Sequence, residues 1–179
     1  MRTMLALAAL SCFAVGVSAQ DAMQPMPESY RDVQMRQLEA QRTLLVAMAD
    51  SMPESLYRDR ATPEQRDFAQ QVHHTASAVV FIAARYFSAQ PPDLPDSAVT
   101  FNTREGLKTY INTAYDFAGG VLKSQSVASR MEVVSFFGQM DIPRWQIWDE
   151  IHQHSMWTAG QVVANFRKNG MAPPAFAFF

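Results

Sequence analysis

The chain has 179 residues, 48% of them apolar and 18% charged, enough to bury one ordinary core and arguing against both disorder and a multidomain enzyme. Fifteen Lys and Arg against 17 Asp and Glu give a net charge of −2, so no basic excess is available to neutralise a run of phosphates, and nucleic acid is not an expected partner. The sole cysteine, Cys12, excludes an intramolecular disulfide and any cysteine-rich zinc or iron–sulfur site. Metal ligands would have to be histidine, carboxylate or hydroxyl groups.

Arg2 is followed by an uncharged, mostly apolar run from Met4 to Val17. Val17-Ser18-Ala19 then places small side chains at the two positions that signal peptidase inspects, so residues 1–19 are predicted to be a cleaved secretory signal. The run contains Ser11 and Gly16 and falls short of the roughly 20 apolar residues that span a bilayer, which disfavours an uncleaved anchor. Ala9-Leu10-Ser11 ahead of Cys12 is a poor lipobox. Cleavage would remove Arg2, leaving a mildly acidic chain without cysteine. The stretch from Phe68 to Ala84 has no formal charge but holds His73, His74 and glutamines, so no membrane contact is expected after cleavage, and the destination is periplasmic or secreted.

Residues 20–27 form a Pro/Met-rich spacer. Met35, Leu38, Leu45, Met48 and Met52 then set one stripe along a first helix, which Pro53 ends. Thr62-Pro63-Glu64-Gln65 has the form of a capping box with proline in the first turn, predicting that a second helix starts there. It continues through Phe68, Val72, Val79, Ile82, Ala83 and Tyr86. Pro91, Pro92 and Pro95 break the chain into its longest loop. Asn102 or Thr103 can cap a third helix with the stripe Leu107, Ile111, Ala114, Ala118, Val121 and Leu122, in which Gly119-Gly120 either weakens the helix or admits another backbone. Ser124 to Asp141 supports no single assignment. Pro143 opens a fourth helix that ends at Asn169-Gly170, where Gly170 suits a left-handed cap. The expectation is an all-α four-helix bundle over residues 28–170, with an irregular segment before the last helix and a tail over 171–179 that packs on the bundle. There is no G-x-G-x-x-G, P-loop or G-x-S-x-G motif.

Histidines carry the chemistry that spacing can suggest. On a helix, Glu150, His154 and Thr158 fall on one face, and His152 lies about 160° from His154. In the second helix Asp67, Gln71, His74, Ala78 and Phe81 lie near one line, with His73 about 100° aside. If His74 and His154 converge, two imidazoles with Glu150 or Thr158 and water could hold a divalent ion. Buried histidines that only hydrogen-bond to Thr, Gln or backbone carbonyls are the competing reading. Trp145, Trp148 and Trp157 read as core anchors.

Several stretches together resemble the DinB-like superfamily of four-helix bundles. They are Met52-Pro53-Glu54-Ser55-Leu56-Tyr57-Arg58, Thr62-Pro63-Glu64-Gln65-Arg66-Asp67-Phe68, Gln71-Val72-His73-His74, the Phe136-Phe137-Gly138 connection, and Gly160-Gln161-Val162-Val163 running to Gly170 and Pro173-Pro174. The superfamily includes metal-dependent enzymes and thiol-dependent transferases, and its members bind a divalent metal through one histidine on the second helix and an H-x-x-x-H pair on the last. The resemblance therefore implies His74 and His154 as metal ligands for zinc or nickel, while the third position falls on Thr158. A neutral hydroxyl is a poorer ligand than imidazole, so Glu150 becomes the substitute ligand or general base. An exported member would lack the cytoplasmic thiols that the transferases use. The expected function is thus an exported protein with a degenerate divalent-metal pocket between the second and last helices, hydrolase- or transferase-like at most. The alternative is a non-catalytic module without metal, binding a small molecule beside Trp148, Trp157 or Tyr115. A symmetric homodimer through an exposed helix face is a third expectation.

Overall fold

The computed structural model describes residues 28–175. The expected signal 1–19, the spacer 20–27 and the last four residues of the tail lie outside them. The described chain is mainly helical, with six helices and one small two-stranded sheet, and none of its helices is long and apolar enough to cross a membrane.

Helix α1 spans Glu28–Ser51 and buries Leu38, Leu45 and Met48, with Met52 just beyond its end. Gln34 and Gln41 are buried on the same stripe, which the apolar pattern alone does not reveal. Pro53 stops α1, as expected, and leads into a single 3-10 turn at Glu54–Leu56.

Helix α2 spans Phe68–Phe87 and starts later than the Thr62-Pro63-Glu64-Gln65 pattern suggests. Its cap is Asp67, whose carboxylate accepts from the Gln70 amide at 2.8 Å while Gln70 Oε1 accepts from the Asp67 amide at 3.2 Å, a reciprocal capping box. Tertiary bonds select this start. The Phe68 amide donates to the Asp59 carbonyl, the Ala69 amide donates to the Tyr57 carbonyl, and Arg58 pairs with the Asp67 carboxylate at 2.9 Å. Residues 62–65 instead form a turn closed by the Gln65 amide on the Thr62 carbonyl.

The proline loop leads into a short helix α3, Ser97–Thr100, capped by Asp96. Thr103 then caps α4, Arg104–Ser124, accepting from the Gly106 amide. The whole expected stripe, Leu107 to Leu122, is buried. The glycine that matters here is Gly106, because a Cβ on it would lie 2.5 Å from the Val99 carbonyl oxygen. Gly119 and Gly120 admit no other backbone: a Cβ on Gly119 would meet only the Met35 Cε, at 3.5 Å, and one on Gly120 nothing within 4 Å.

The unassigned segment resolves into a short helix α5, Val127–Met131, and a hairpin of β1, Val133–Phe136, with β2, Met140–Pro143. The strands are antiparallel with Val134 opposite Ile142 and Phe136 opposite Met140. Phe137 and Gly138 both take positive φ at the tip, the conformation a type I′ turn requires. Tyr86 secures it by accepting the Phe137 amide at 2.7 Å.

Helix α6, Arg144–Lys168, follows Pro143. It closes on Gly170, at φ +68°, with the Gly170 amide on the Arg167 carbonyl and the Met171 amide on the Phe166 carbonyl, a Schellman cap. Helices α1 and α2 each pack on both α4 and α6. Two ring contacts fix the pairing of α2 with α6 as antiparallel: Phe68 meets Phe166 at one end (5.9 Å between ring centres), and Phe87 stacks on Trp148 at the other (4.9 Å).

Candidate functional site

The antiparallel α2–α6 pair brings His74 and His154 together from remote stretches of chain, with ring centres 5.4 Å apart and planes at 74°. One turn away, Gln71 Nε2 donates to the Thr158 carbonyl at 3.2 Å, which sets the register of the two helices. Thr158 is 2% exposed and follows His154 by one turn on the same face.

Burial lowers the pKa of both imidazoles below the ordinary histidine value. The positive charge of Arg66 lowers both further, and for His74 the neighbouring His154 and His73 add to it. Both shifts favour the neutral ring, the form that donates a lone pair to a metal or to a hydrogen bond. His154 Nδ1 is buried and has no hydrogen-bond partner among the described residues.

Glu150 is half-buried and accepts from Gln146 Nε2 at 3.3 Å. Among the described residues no three His, Cys, Asp or Glu side chains are grouped so that they could hold a metal ion. The imidazole pair thus has Thr158 nearby and no third residue of those types. Two imidazoles on one tetrahedral ion, at ~2.0–2.1 Å per bond, hold their ring centres about 5 Å apart, so the pair as it stands is compatible with two of the three ligands.

The other two histidines face elsewhere, as their helical angles require. His73 packs against Tyr110 at 4.3 Å and Phe101 at 4.9 Å between ring centres. The Nδ1 of His152 lies 2.8 Å from Gln41 Nε2 of α1. The buried glutamines of α1 therefore tie it to α6, since Gln34 also donates to the Trp145 carbonyl at 2.9 Å and to Asp149 at 3.1 Å.

Compared with protein-family models, with curated proteins and with solved structures, the chain matches none.

The tryptophans divide. Trp148 is a core anchor, buried and donating its indole N–H to Gln125. Trp157 is not: at 76% exposed it is the most exposed large apolar side chain among the described residues. It sits three residues beyond His154, adjacent on the helix surface. Tyr115 is buried, its hydroxyl donating to Gln41 Oε1 at 3.4 Å, and it borders a cavity of about 120 Å³ with Met35, Leu38 and Gly119 between α1 and α4. Neither Trp148 nor Trp157 lines that cavity, so the three aromatic residues do not form one pocket.

Arg66, whose charge lowers the pKa of both rings, was not singled out by periodicity. It immediately precedes the cap of α2, and its proximity to the histidines becomes legible only once the helix start is placed at Asp67 instead of Thr62.

Proposed function

We propose that the chain is an exported, DinB-like four-helix bundle whose pocket between α2 and α6 is a reduced divalent-metal site, with His74 and His154 as ligands. The reading rests on one observation: imidazoles from two different helices face each other with ring centres 5.4 Å apart, a spacing one ion can bridge. Zinc or nickel would be held by these two rings with Thr158 beside them, and would supply Lewis acidity toward a bound oxygen. Thr158 offers a neutral oxygen where a stronger site has a nitrogen, and the nearby Arg66 charge opposes a cation. The site is therefore weaker than a three-imidazole one. Glu150 is placed as the general base of this reading, one turn before His154 on the same face.

Zinc titration of protein purified without a histidine tag tests this directly. One equivalent should bind, with at least tenfold loss of affinity in His74→Ala and in His154→Ala and no loss in His73→Ala or His152→Ala. Absence of binding, or equal binding by His74→Ala, overturns the metal reading.

The positive charge of Arg66 and the lack, among the described residues, of a third imidazole or carboxylate grouped with the pair favour a second reading, a metal-free pocket for a small molecule. It predicts ligand-dependent thermal stabilisation in the presence of a chelator.

A further inference from the structure

The later half of α2 and the tip of the hairpin share one aromatic cluster. Phe137 at the tip stacks on Phe81 of α2, with ring centres 6.3 Å apart and planes at 18°, and meets Phe136 at 4.6 Å and Tyr86 at 5.6 Å. Tyr86 and Phe136, 5.1 Å apart, already fasten the hairpin to α2, together with the Tyr86 hydroxyl on the Phe137 amide. Phe81 and Phe137 nevertheless stay 54% and 43% exposed, and Met140, across the hairpin from Phe136, stays 47% exposed. Phe137 also holds φ at +52°, in a turn position that suits Asn, Asp or Gly and strains a bulky side chain. Anchoring the hairpin does not require a ring there, because nearly half of that ring remains in water.

The charge in contact with these rings is positive. The exposed Arg85 guanidinium lies 5.6 Å from the Tyr86 ring centre and 5.8 Å from that of Phe137, and it makes no ion pair among the described residues. Of the carboxylates on adjoining elements, Glu132 pairs with Arg144 at 2.8 Å and Glu150 accepts from Gln146. Asp141 follows Met140 and so leaves the opposite face of β2, and Asp93 lies in the proline loop beyond α2. The patch is therefore apolar with one cation at its rim. A half-exposed phenylalanine ring offers roughly 100 Å², so the patch falls well short of the ~800 Å² per partner that a stable protein interface buries. A bilayer needs no matching surface. It takes up whatever apolar area protrudes, with a preference for anionic headgroups beside a cation.

We infer that the hairpin tip is a membrane-surface contact, in which Phe81, Phe137 and Met140 enter the boundary between headgroups and acyl chains and Arg85 meets anionic headgroups. Hydropathy along the chain led to the opposite expectation because it detects spanning segments, and this patch is assembled by the fold from two separate elements. Phe81 follows His74 by two turns on the same face of α2, about 10 Å along the helix, so the contact holds the imidazole pair close to the lipid. The inference stands independently of any metal there.

The full chain is titrated with nanodiscs of phosphatidylcholine alone and of phosphatidylcholine with one quarter phosphatidylglycerol, each with and without doxyl-labelled lipid. Both should bind, and the label should broaden the backbone amides of Phe137, Gly138 and Gln139 in NMR while those of Val99 and Gly106, at the start of α4, stay sharp. Phe137→Asn and Phe81→Ser should each weaken binding roughly tenfold or more. Phe137→Asn should also melt no lower than the wild type, because asparagine suits that turn, so its loss of binding is not a loss of folding. Arg85→Gln should cost about fivefold on the anionic discs and nothing on phosphatidylcholine alone. Val99→Ser removes an apolar side chain that is 48% exposed elsewhere and should change nothing. Failure to bind either disc, broadening that spares residues 137–139, or wild-type affinity in Phe137→Asn overturns the inference. A lipid-free dimer in sedimentation that dissociates in Phe137→Asn assigns the patch to a second copy and overturns it as well.

Discussion

Thr158→His should convert the reduced site into a three-imidazole one, destabilised without zinc and largely restored with it. Thr158 is 2% exposed and its carbonyl is held by Gln71, so a larger side chain there must displace neighbours, at a cost of about 1–3 kcal/mol. For a domain of this size each kcal/mol moves the melting temperature by roughly 2–4 °C, so the metal-free variant should melt about 2–12 °C below the wild type. Zinc at a concentration near the wild-type Kd stabilises the wild type by only about 0.4 kcal/mol, whereas a variant binding one hundredfold more tightly gains ~2.7 kcal/mol. Zinc should therefore raise the variant's melting temperature by roughly 5–11 °C and the wild type's by about 1–2 °C. Calorimetry with zinc and with chelator reads both numbers, and His74→Ala in the Thr158→His background should abolish the zinc response. A response no larger than wild type, or one that survives loss of His74, would refute the placement of Thr158 beside the two rings.

Three further outcomes follow from particular contacts. Gly106→Ala should destabilise by about 1–3 kcal/mol in urea titration, because its Cβ would lie 2.5 Å from the Val99 carbonyl oxygen and the opposing atom is backbone; a change below ~0.5 kcal/mol would contradict that close approach. Asp67→Ala should cost about 1–2 kcal/mol by removing the cap of α2, while Thr62→Ala should stay within ~0.5 kcal/mol, and the reverse order would place the helix start at Thr62 after all. His73, His74, His152 and His154 all have pKa values lowered by burial, so on acidification the unfolded chain takes up protons before the folded one. Stability present above about pH 6.5 should be lost as the pH falls below it, by at most ~1.4 kcal/mol per pH unit for each histidine. Urea midpoints at pH 8 and pH 5 check this, and equal or greater stability at pH 5 would run against it.

Much of the helical framework was legible because its signals are local. The buried stripe of α4, the stop at Pro53, the Thr103 cap and the left-handed Gly170 each depend on residues within a few positions of one another. Helical angles also indicated which member of each histidine pair shares a face with Thr158 or Gln71, since 100° per residue is a property of the backbone alone. The start of α2 misled because two cap sequences compete within a few residues. Contacts from Tyr57, Arg58 and Asp59 decide between them. The hairpin was equally hidden, because Phe137 at φ +52° is an unfavourable choice for an aromatic residue and is held by the Tyr86 hydroxyl from another element.

The amino-acid order by itself determined the long helices, most of their ends and the faces their histidines occupy, because periodicity and capping act over single turns. Only the tertiary structure decided that α2 and α6 run antiparallel in a register that joins His74 to His154, that the Arg66 charge bears on both rings, and that Trp157 stays in water while Trp148 is buried. Those outcomes depend on which side chains of one helix fill the spaces of another, and that complementarity is a property of the packed core that no single stretch of sequence contains.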